Sequence, residues 1–285
     1  MKVVLFCGGQ GLRMAGVAGG VPKPMVPLGP RPIIWHLMKY YAHWGHTDFI
    51  LCLGHKGGAI KDYFATDQGW RSNVFTLPES GRQAQRPNRD PNDWRITFVD
   101  TGQDACVGER LLAVREHLRG EATFLANYAD GLSDYPLPLL IQRVQRGTAC
   151  GAFLATRPNT SFHFVDYAAD GAVLGLRTAE DKDLRINGGY FVFRQEIFDY
   201  LRPGEELVEQ PFARMIERRN LLAQPYDGFW RCCDTFKDLK MLEGLLLPHG
   251  PAPWELWRRF PPGSGPGLQK WSGSARPALT AAIGT

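Results

Sequence analysis

Two cations and a run of glycines near the N-terminus carry the first chemical signal in this chain. Val3-Val4-Leu5-Phe6-Cys7 is an unbroken apolar stretch; Gly8-Gly9-Gln10-Gly11, Arg13 and, after an intervening loop, Pro22-Lys23-Pro24-Met25 follow it. An unbroken apolar run is the pattern of a parallel strand buried on both faces. Glycines after such a strand accept positive φ and let backbone N–H groups come close to an anion. Arg13 and Lys23 bring two fixed positive charges to the same mouth. A strand end, a bare backbone loop and two cations suit a bound polyphosphate. The stretch has no Gly-Lys-Ser/Thr to make it a Walker loop, and Met14 stands where the dinucleotide fingerprint has its third glycine. An ordinary strand-to-helix connection carries similar glycines, so the local pattern leaves phosphate binding and a plain turn both open.

The acids that would complete such a site are Asp130 and Asp234. Phe124-Leu125-Ala126 precedes the first and Phe229-Trp230 the second, so each follows an apolar, strand-like segment. Mg²⁺ bound with nucleotide phosphates usually takes one or two protein carboxylates plus water, and two aspartates at one sheet edge would supply them. The competing readings are local: Asp130-Gly131 as a turn, and Asp234 as a helix N-cap ahead of Thr235.

The elements that would position these residues alternate between strand and helix. Pro32 opens a helix and Gly45 closes it, with Ile33, Ile34, Leu37, Met38, Tyr41 and Trp44 on one face. Asp48 to Leu53 reads as a second buried strand, and Gly57 to Phe64 as a helix. This alternation predicts a parallel α/β sheet. Polar residues dominate from Asp67 to Trp94, around a short strand near Val74 to Leu77. Further strands are expected at Arg95–Val99, Thr123–Ala126, Ala149–Thr156 and Ile186–Arg194, with a hairpin from Phe162–Tyr167 and Val173–Arg177 around Asp170-Gly171. Helices are expected at Gly108–Leu118, Leu137–Arg146, Pro211–Arg219 and Asp234–Leu247. Thr123–Ala126 would deliver Tyr128-Ala129-Asp130-Gly131 at its C-terminal end, the edge where open α/β sheets gather ligands.

With 285 residues, 44% of them hydrophobic, the chain can bury a sizeable core. A net charge of +4 suits a small anionic substrate better than a nucleic-acid groove, and the aromatic–basic interleaving of single-strand binders is missing. No apolar run is long enough to span a membrane, and the N-terminus enters a strand directly, without a signal-peptide pattern. Six cysteines without framework spacing predict reduced thiols and a cytoplasmic protein. After Phe260 the composition turns to Gly, Pro, Ser and Ala, which predicts a tail (260–285) that is disordered or draped.

Taken together, Gly8-Gly9-Gln10-Gly11-Leu12-Arg13-Met14 and Pro22-Lys23-Pro24-Met25-Val26 resemble the signature of the sugar-1-phosphate nucleotidyltransferases. Pro32–Lys39, Asp48–Gly57, Val99-Asp100-Thr101-Gly102, Tyr128–Gly131, Ile186–Val192 and Gly228-Phe229-Trp230 narrow the resemblance to glucose-1-phosphate cytidylyltransferase, from Met1 to about Trp257. It implies a Rossmann-like α/β nucleotidyltransferase fold with a mixed, mostly parallel central sheet flanked by helices and a small sugar-binding extension. The nucleotide part would cover about 1–135 and the sugar part about 136–259, in a homo-oligomer. The polar stretch 67–94 would lie near the nucleotide base and subunit contacts. The implied chemistry is Mg²⁺-dependent synthesis of an NDP-sugar and pyrophosphate from a nucleoside triphosphate and a sugar 1-phosphate. Gly8, Gly9, Gly11, Arg13 and Arg110 would bind nucleotide, with Arg13 and Lys23 catalytic and Asp130 and Asp234 on the metal. Tyr128, Asn187, Gly188 and Arg177 would meet the sugar. Two departures bear on the substrates. Leu12 replaces the family's threonine, and Arg177-Thr178-Ala179 occupies the register of its Glu-Lys-Pro, so a cation replaces an acid that grips sugar hydroxyls. CTP with glucose 1-phosphate is the default pair; another sugar 1-phosphate, such as a heptose, with CTP, GTP or another triphosphate is the alternative. A non-catalytic nucleotide-sugar-binding protein is the competing class.

Overall fold

The computed structural model describes residues 1–9, 20–65, 74–76, 83–85, 94–158, 163–178, 184–246 and 250–266. Its frame is a sheet that holds nine strands among the described residues. In spatial order these are Leu221–Tyr226, Gly151–Thr156, Ile186–Arg194, Thr123–Asn127, Lys2–Phe6, Asp48–Leu53, Arg95–Asp100, Val74–Thr76 and Gln83–Gln85. Lys2–Phe6 lies at the centre and pairs in parallel with both neighbours, Val3 opposite Phe49 on one side and Leu125 on the other. Ile186–Arg194 runs antiparallel to both of its neighbours, and Gln83–Gln85 antiparallel to Val74–Thr76. The sheet is therefore mixed and mostly parallel, as the family resemblance implies; the alternating pattern alone predicts parallel strands and does not show the antiparallel ones.

The central strand shows why an unbroken apolar run was needed. Val3 and Leu5 belong to one buried cluster and Val4 and Phe6 to another, so the strand feeds a core on each face. The helix Ile33–His43 covers the first face with Ile33, Ile34, Leu37, Met38 and Tyr41. Gly45, at φ +82°, ends it in the left-handed conformation that glycine adopts without penalty. The opposite face is closed by Leu111, Ile197, Phe198, Phe212 and Met215.

Several boundaries move. The helix expected over Gly108–Leu118 is an α-helix at Val107–Ala113 followed by a 3₁₀ turn at Arg115–Leu118. The helix expected to start at Asp234 spans Phe236–Leu246, which leaves Asp234 outside it. Two short strands, Gly131–Ser133 and Trp230–Cys232, have no periodicity of their own and form by pairing with each other. The Pro225-containing strand Leu221–Tyr226 was likewise not anticipated; it is an edge strand, where proline is tolerated. The polar stretch 67–94 lies mostly outside the described residues. All six cysteines are unpaired. Among the described residues no helix is long and apolar enough to cross a membrane. The start of the tail is draped: Gly263 N–H donates to the His43 carbonyl at 2.7 Å, and His43 Nε2 lies 2.6 Å from the Ser264 carbonyl. The tail from 267 onward lies outside the described residues.

Candidate active site

Lys23 stands at the centre of the site. Pro22 and Pro24 fix the backbone of a 3₁₀ turn, Lys23–Met25, which is closed by Met25 N–H to the Pro22 carbonyl at 2.8 Å. Pro24 and Met25 are buried beneath it, so the turn is anchored and the ammonium is directed outward. That ammonium donates to Asp130 Oδ2 at 2.5 Å and also to Asp234 Oδ1. Two carboxylates 104 positions apart in sequence thus meet at one nitrogen.

A small ladder brings them together. Gly131–Ser133 and Trp230–Cys232 pair antiparallel, Cys232 opposite Gly131, and Cys233 N–H donates to the Asp130 carbonyl at 3.0 Å. Asp130 leads into one strand of this ladder and Asp234 leaves the other. The helix cap that Asp234 might have formed belongs to its neighbour: Asp238 N–H donates to Thr235 Oγ1, and Asp238 Oδ2 accepts from the N–H groups of Asp234 and Thr235. Asp130 is equally no simple turn residue, since its side chain faces Lys23.

Electrostatics couple the three groups. Burial pushes the Asp130 carboxyl above the ordinary aspartate range; Lys23 pulls it back down and Asp234 pushes it up further. Burial works against the charge on Lys23, yet Asp130 and then Asp234 outweigh it and hold the ammonium above the usual lysine value. Two hard oxygen donors converging on one cationic point suit a small divalent cation. Among the described residues no cluster of three or more His, Cys, Asp or Glu could hold a metal unaided. The donor set therefore fits an ion that arrives with nucleotide phosphates as its other ligands, the usual habit of Mg²⁺.

The glycine turn begins beside this pair. Gly9 lines a cleft of about 70 Å³ with Phe6, Cys7, Lys23, Pro24, Tyr128 and Asp130. Gly8 lies against Arg110: a Cβ there would fall 2.0 Å from Arg110 Nη1. Gly11 and Arg13, with Leu12, lie outside the described residues. Arg110 stands beside the glycine turn. Its buried guanidinium donates to the carbonyls of Gly8, Leu53, Gly102 and Gln103 and to Thr101 Oγ1, at 2.7–3.2 Å. It ties the glycine turn to two neighbouring strand ends; the Leu53 carbonyl also accepts from Thr101 N–H and Thr101 Oγ1.

On the other side of Asp130, Asn187 Nδ2 donates to the Tyr128 hydroxyl at 3.1 Å, and Asn187 Oδ1 accepts from Gly189 N–H at 2.9 Å. Gly189 has φ +74°, and a Cβ there would strike the Tyr128 ring at 2.6 Å. The Gly188 carbonyl accepts from Trp230 Nε1 at 2.8 Å, which links this corner to the acid ladder. Tyr128, Asn187 and Gly188 are therefore brought together. Arg177 is not: it ends the hairpin Phe164–Tyr167/Val173–Arg177, a separate two-stranded sheet, and pairs with Asp166 across it. The cross-strand register puts Arg177 opposite Phe164, one residue from Val165 and two from Asp166, so a carboxylate of its own hairpin captures it.

Sequence reasoning missed the small ladder, the capping role of Asp238 and the turn that carries Asp130. In that turn Asn127 Oδ1 accepts from Ala129 N–H at 3.1 Å, and Ala129 sits at φ +62°. The Asn-x-Ala-Asp spacing was its only local sign.

The chain is 35% identical over 260 residues to the glucose-1-phosphate cytidylyltransferase of Salmonella typhimurium, covering 90% of this chain and 100% of that protein. It is 25% identical over 256 residues to a mannose-1-phosphate guanyltransferase of Kluyveromyces lactis, covering 87% of this chain and 64% of that one. A solved UTP-bound UGPase from Acinetobacter baumannii shares the fold with TM-score 0.62 at 17% identity, over 87% of this chain and 94% of that one. No protein-family model matches the chain. These relatives place the chain among the sugar-1-phosphate nucleotidyltransferases. The full-length match at 35% identity goes further: the chain belongs to the glucose-1-phosphate cytidylyltransferase family.

Proposed function

We propose that this chain transfers a nucleotidyl group from CTP to glucose 1-phosphate, forming CDP-glucose and pyrophosphate. The observation that carries the chemistry is the meeting of Lys23, Asp130 and Asp234 at one point of the carboxyl edge. A phosphate oxygen of the sugar 1-phosphate attacks the α-phosphorus in line; the bond to the bridging oxygen breaks and pyrophosphate departs. A phosphate monoester is largely ionised near neutrality, its second pKa being about 6, so no general base is needed. Alignment and charge neutralisation carry the rate. Lys23 would bridge the sugar phosphate and the α-phosphate, and Arg13 would neutralise the β- and γ-phosphates over the backbone of Gly8, Gly9 and Gly11. Asp130 and Asp234 would hold Mg²⁺, which supplies a Lewis acid for the developing negative charge. Tyr128, Asn187 and Gly188 would face the sugar.

Leu12 and the displaced Arg177 favour a second reading of the substrates, in which the same transfer uses another sugar 1-phosphate or another triphosphate. A matrix of four nucleoside triphosphates against a panel of sugar 1-phosphates, read by pyrophosphate release, decides it. Preferred turnover of CTP with glucose 1-phosphate is expected. Turnover of a different pair replaces the substrates and keeps the class, whereas tight binding without turnover across the panel overturns the enzymatic reading. Six unpaired thiols and a dependence on nucleoside triphosphates support a cytoplasmic enzyme. The apolar side chains exposed on the hairpin, Tyr167, Leu174 and Leu176, support self-association, which size-exclusion chromatography with light scattering tests.

A further inference from the structure

We propose that Asn127 is a positioning residue for the acid pair: its carboxamide clamps the left-handed turn through which Asp130 enters the cleft. The inference rests on the nucleotidyl-transfer reading above, since it assigns Asn127 its work through Asp130. Asn127 is the last residue of Thr123–Asn127 and only 1% exposed. Its Nδ2 donates to the Tyr41 hydroxyl at 3.1 Å, and its Oδ1 accepts from Ala129 N–H at 3.1 Å. Tyr41 belongs to the buried helix Ile33–His43 and stacks on Tyr190, with ring centroids 6.2 Å apart. The carboxamide is therefore gripped from the core side before it grips the turn.

That grip has a conformational purpose. Ala129 adopts φ +62°, a region that a residue with a Cβ rarely occupies. Without an acceptor at Asn127 Oδ1, Ala129 would relax to negative φ, and the direction of the next side chain would change with it. The next side chain is Asp130. Downstream the backbone is already held, by Cys233 N–H on the Asp130 carbonyl and by the Tyr190 hydroxyl on the Gly131 carbonyl at 2.9 Å. On the entry side of Asp130 the turn is held by the Asn127 side chain. Strained non-glycine residues persist where surrounding contacts over-determine them, and they gather at functional sites.

The test measures Mn²⁺ binding by electron paramagnetic resonance, in the presence of CTP, on the full-length protein and on Asn127→Ala, Ala129→Gly, the double variant and Tyr41→Phe. Thermal unfolding and kcat are recorded in parallel. Asn127→Ala is expected to weaken Mn²⁺ binding by about tenfold or more and to lower kcat rather than raise KM, because a misdirected reacting group costs rate. Adding Ala129→Gly is expected to recover most of the loss, since glycine keeps the left-handed turn accessible. Tyr41→Phe loosens the grip on the carboxamide, and about a threefold loss is expected, on the scale of one hydrogen bond. If Asn127→Ala does not fold, Tyr41→Phe and Ala129→Gly in its background carry the same test. Parent-like Mn²⁺ binding in Asn127→Ala or Tyr41→Phe overturns the proposal, as does a loss that tracks the thermal midpoint and ignores Ala129→Gly. A parent protein that neither binds Mn²⁺ nor releases pyrophosphate overturns the functional reading along with it.

Discussion

Two charge clusters in this molecule use the same side-chain chemistry in opposite surroundings. At the carboxyl edge Lys23 meets Asp130 and Asp234; on the outer hairpin Arg177 meets Asp166. The Lys23 side chain is 15% exposed and the Arg177 side chain 52%. Around Lys23 three constrained segments converge: a proline turn, a two-stranded ladder and a capped helix. Around Arg177 the hairpin packs on little, and Tyr167, Val173, Leu174 and Leu176 lie open to solvent. A two-stranded ribbon alone is marginally stable in water. The contrast teaches that a charge pair becomes chemistry only where the fold removes its freedom to rearrange and shields it from solvent.

The largest effect should come from Lys23→Met. Pyrophosphate release is expected to fall by about 10²–10³-fold, the scale of one lost preorganised contact; a loss below tenfold would remove Lys23 from the chemistry. Next, Arg110→Ala should cost about 1–3 kcal/mol of stability, because the Gly8 carbonyl loses its Arg110 donor in a buried place. Urea unfolding checks it, and an unchanged midpoint would show that Arg110 is no brace. A smaller effect separates the clusters by pH. The folded-state pKa of Lys23 is raised above its ordinary value, so its contribution is complete below about pH 10.5 and is lost as pH rises through the folded value. Thermal midpoints from about pH 10.5 upward should therefore fall more steeply for the parent than for Lys23→Met; parallel curves would mean that the pair contributes nothing. The smallest effect belongs to the hairpin: Arg177→Ala should change stability by less than about 1 kcal/mol, and 1 M salt should erase the difference. A rise in KM for the sugar phosphate in the same variant would break the comparison by placing Arg177 at the sugar after all.

Much of this was legible before any coordinates. The helix Ile33–His43 declares itself by its apolar spacing and the strands Lys2–Phe6 and Ile186–Arg194 by apolar runs, because the helix satisfies its backbone locally and the strands are buried on both faces. Lys23 stood out as a fixed positive charge following the glycine turn, and Asp130 and Asp234 by their place after apolar segments. Gly131–Ser133 and Trp230–Cys232 were not legible, since each is too short to show a period and exists only as the other's partner. Arg110 and Arg177 were both named from the chain, yet one became a buried brace and the other a hairpin charge.

What the amino-acid order determined by itself was the set of chemical groups and the elements that carry them, since propensity, apolar spacing and glycine placement act over a few residues. Which groups meet was decided by tertiary structure alone. Asp130 and Asp234 converge because a ladder closes across about a hundred residues, and no local preference encodes that encounter; only the burial of both cores and the pairing of backbone groups far apart in the chain does.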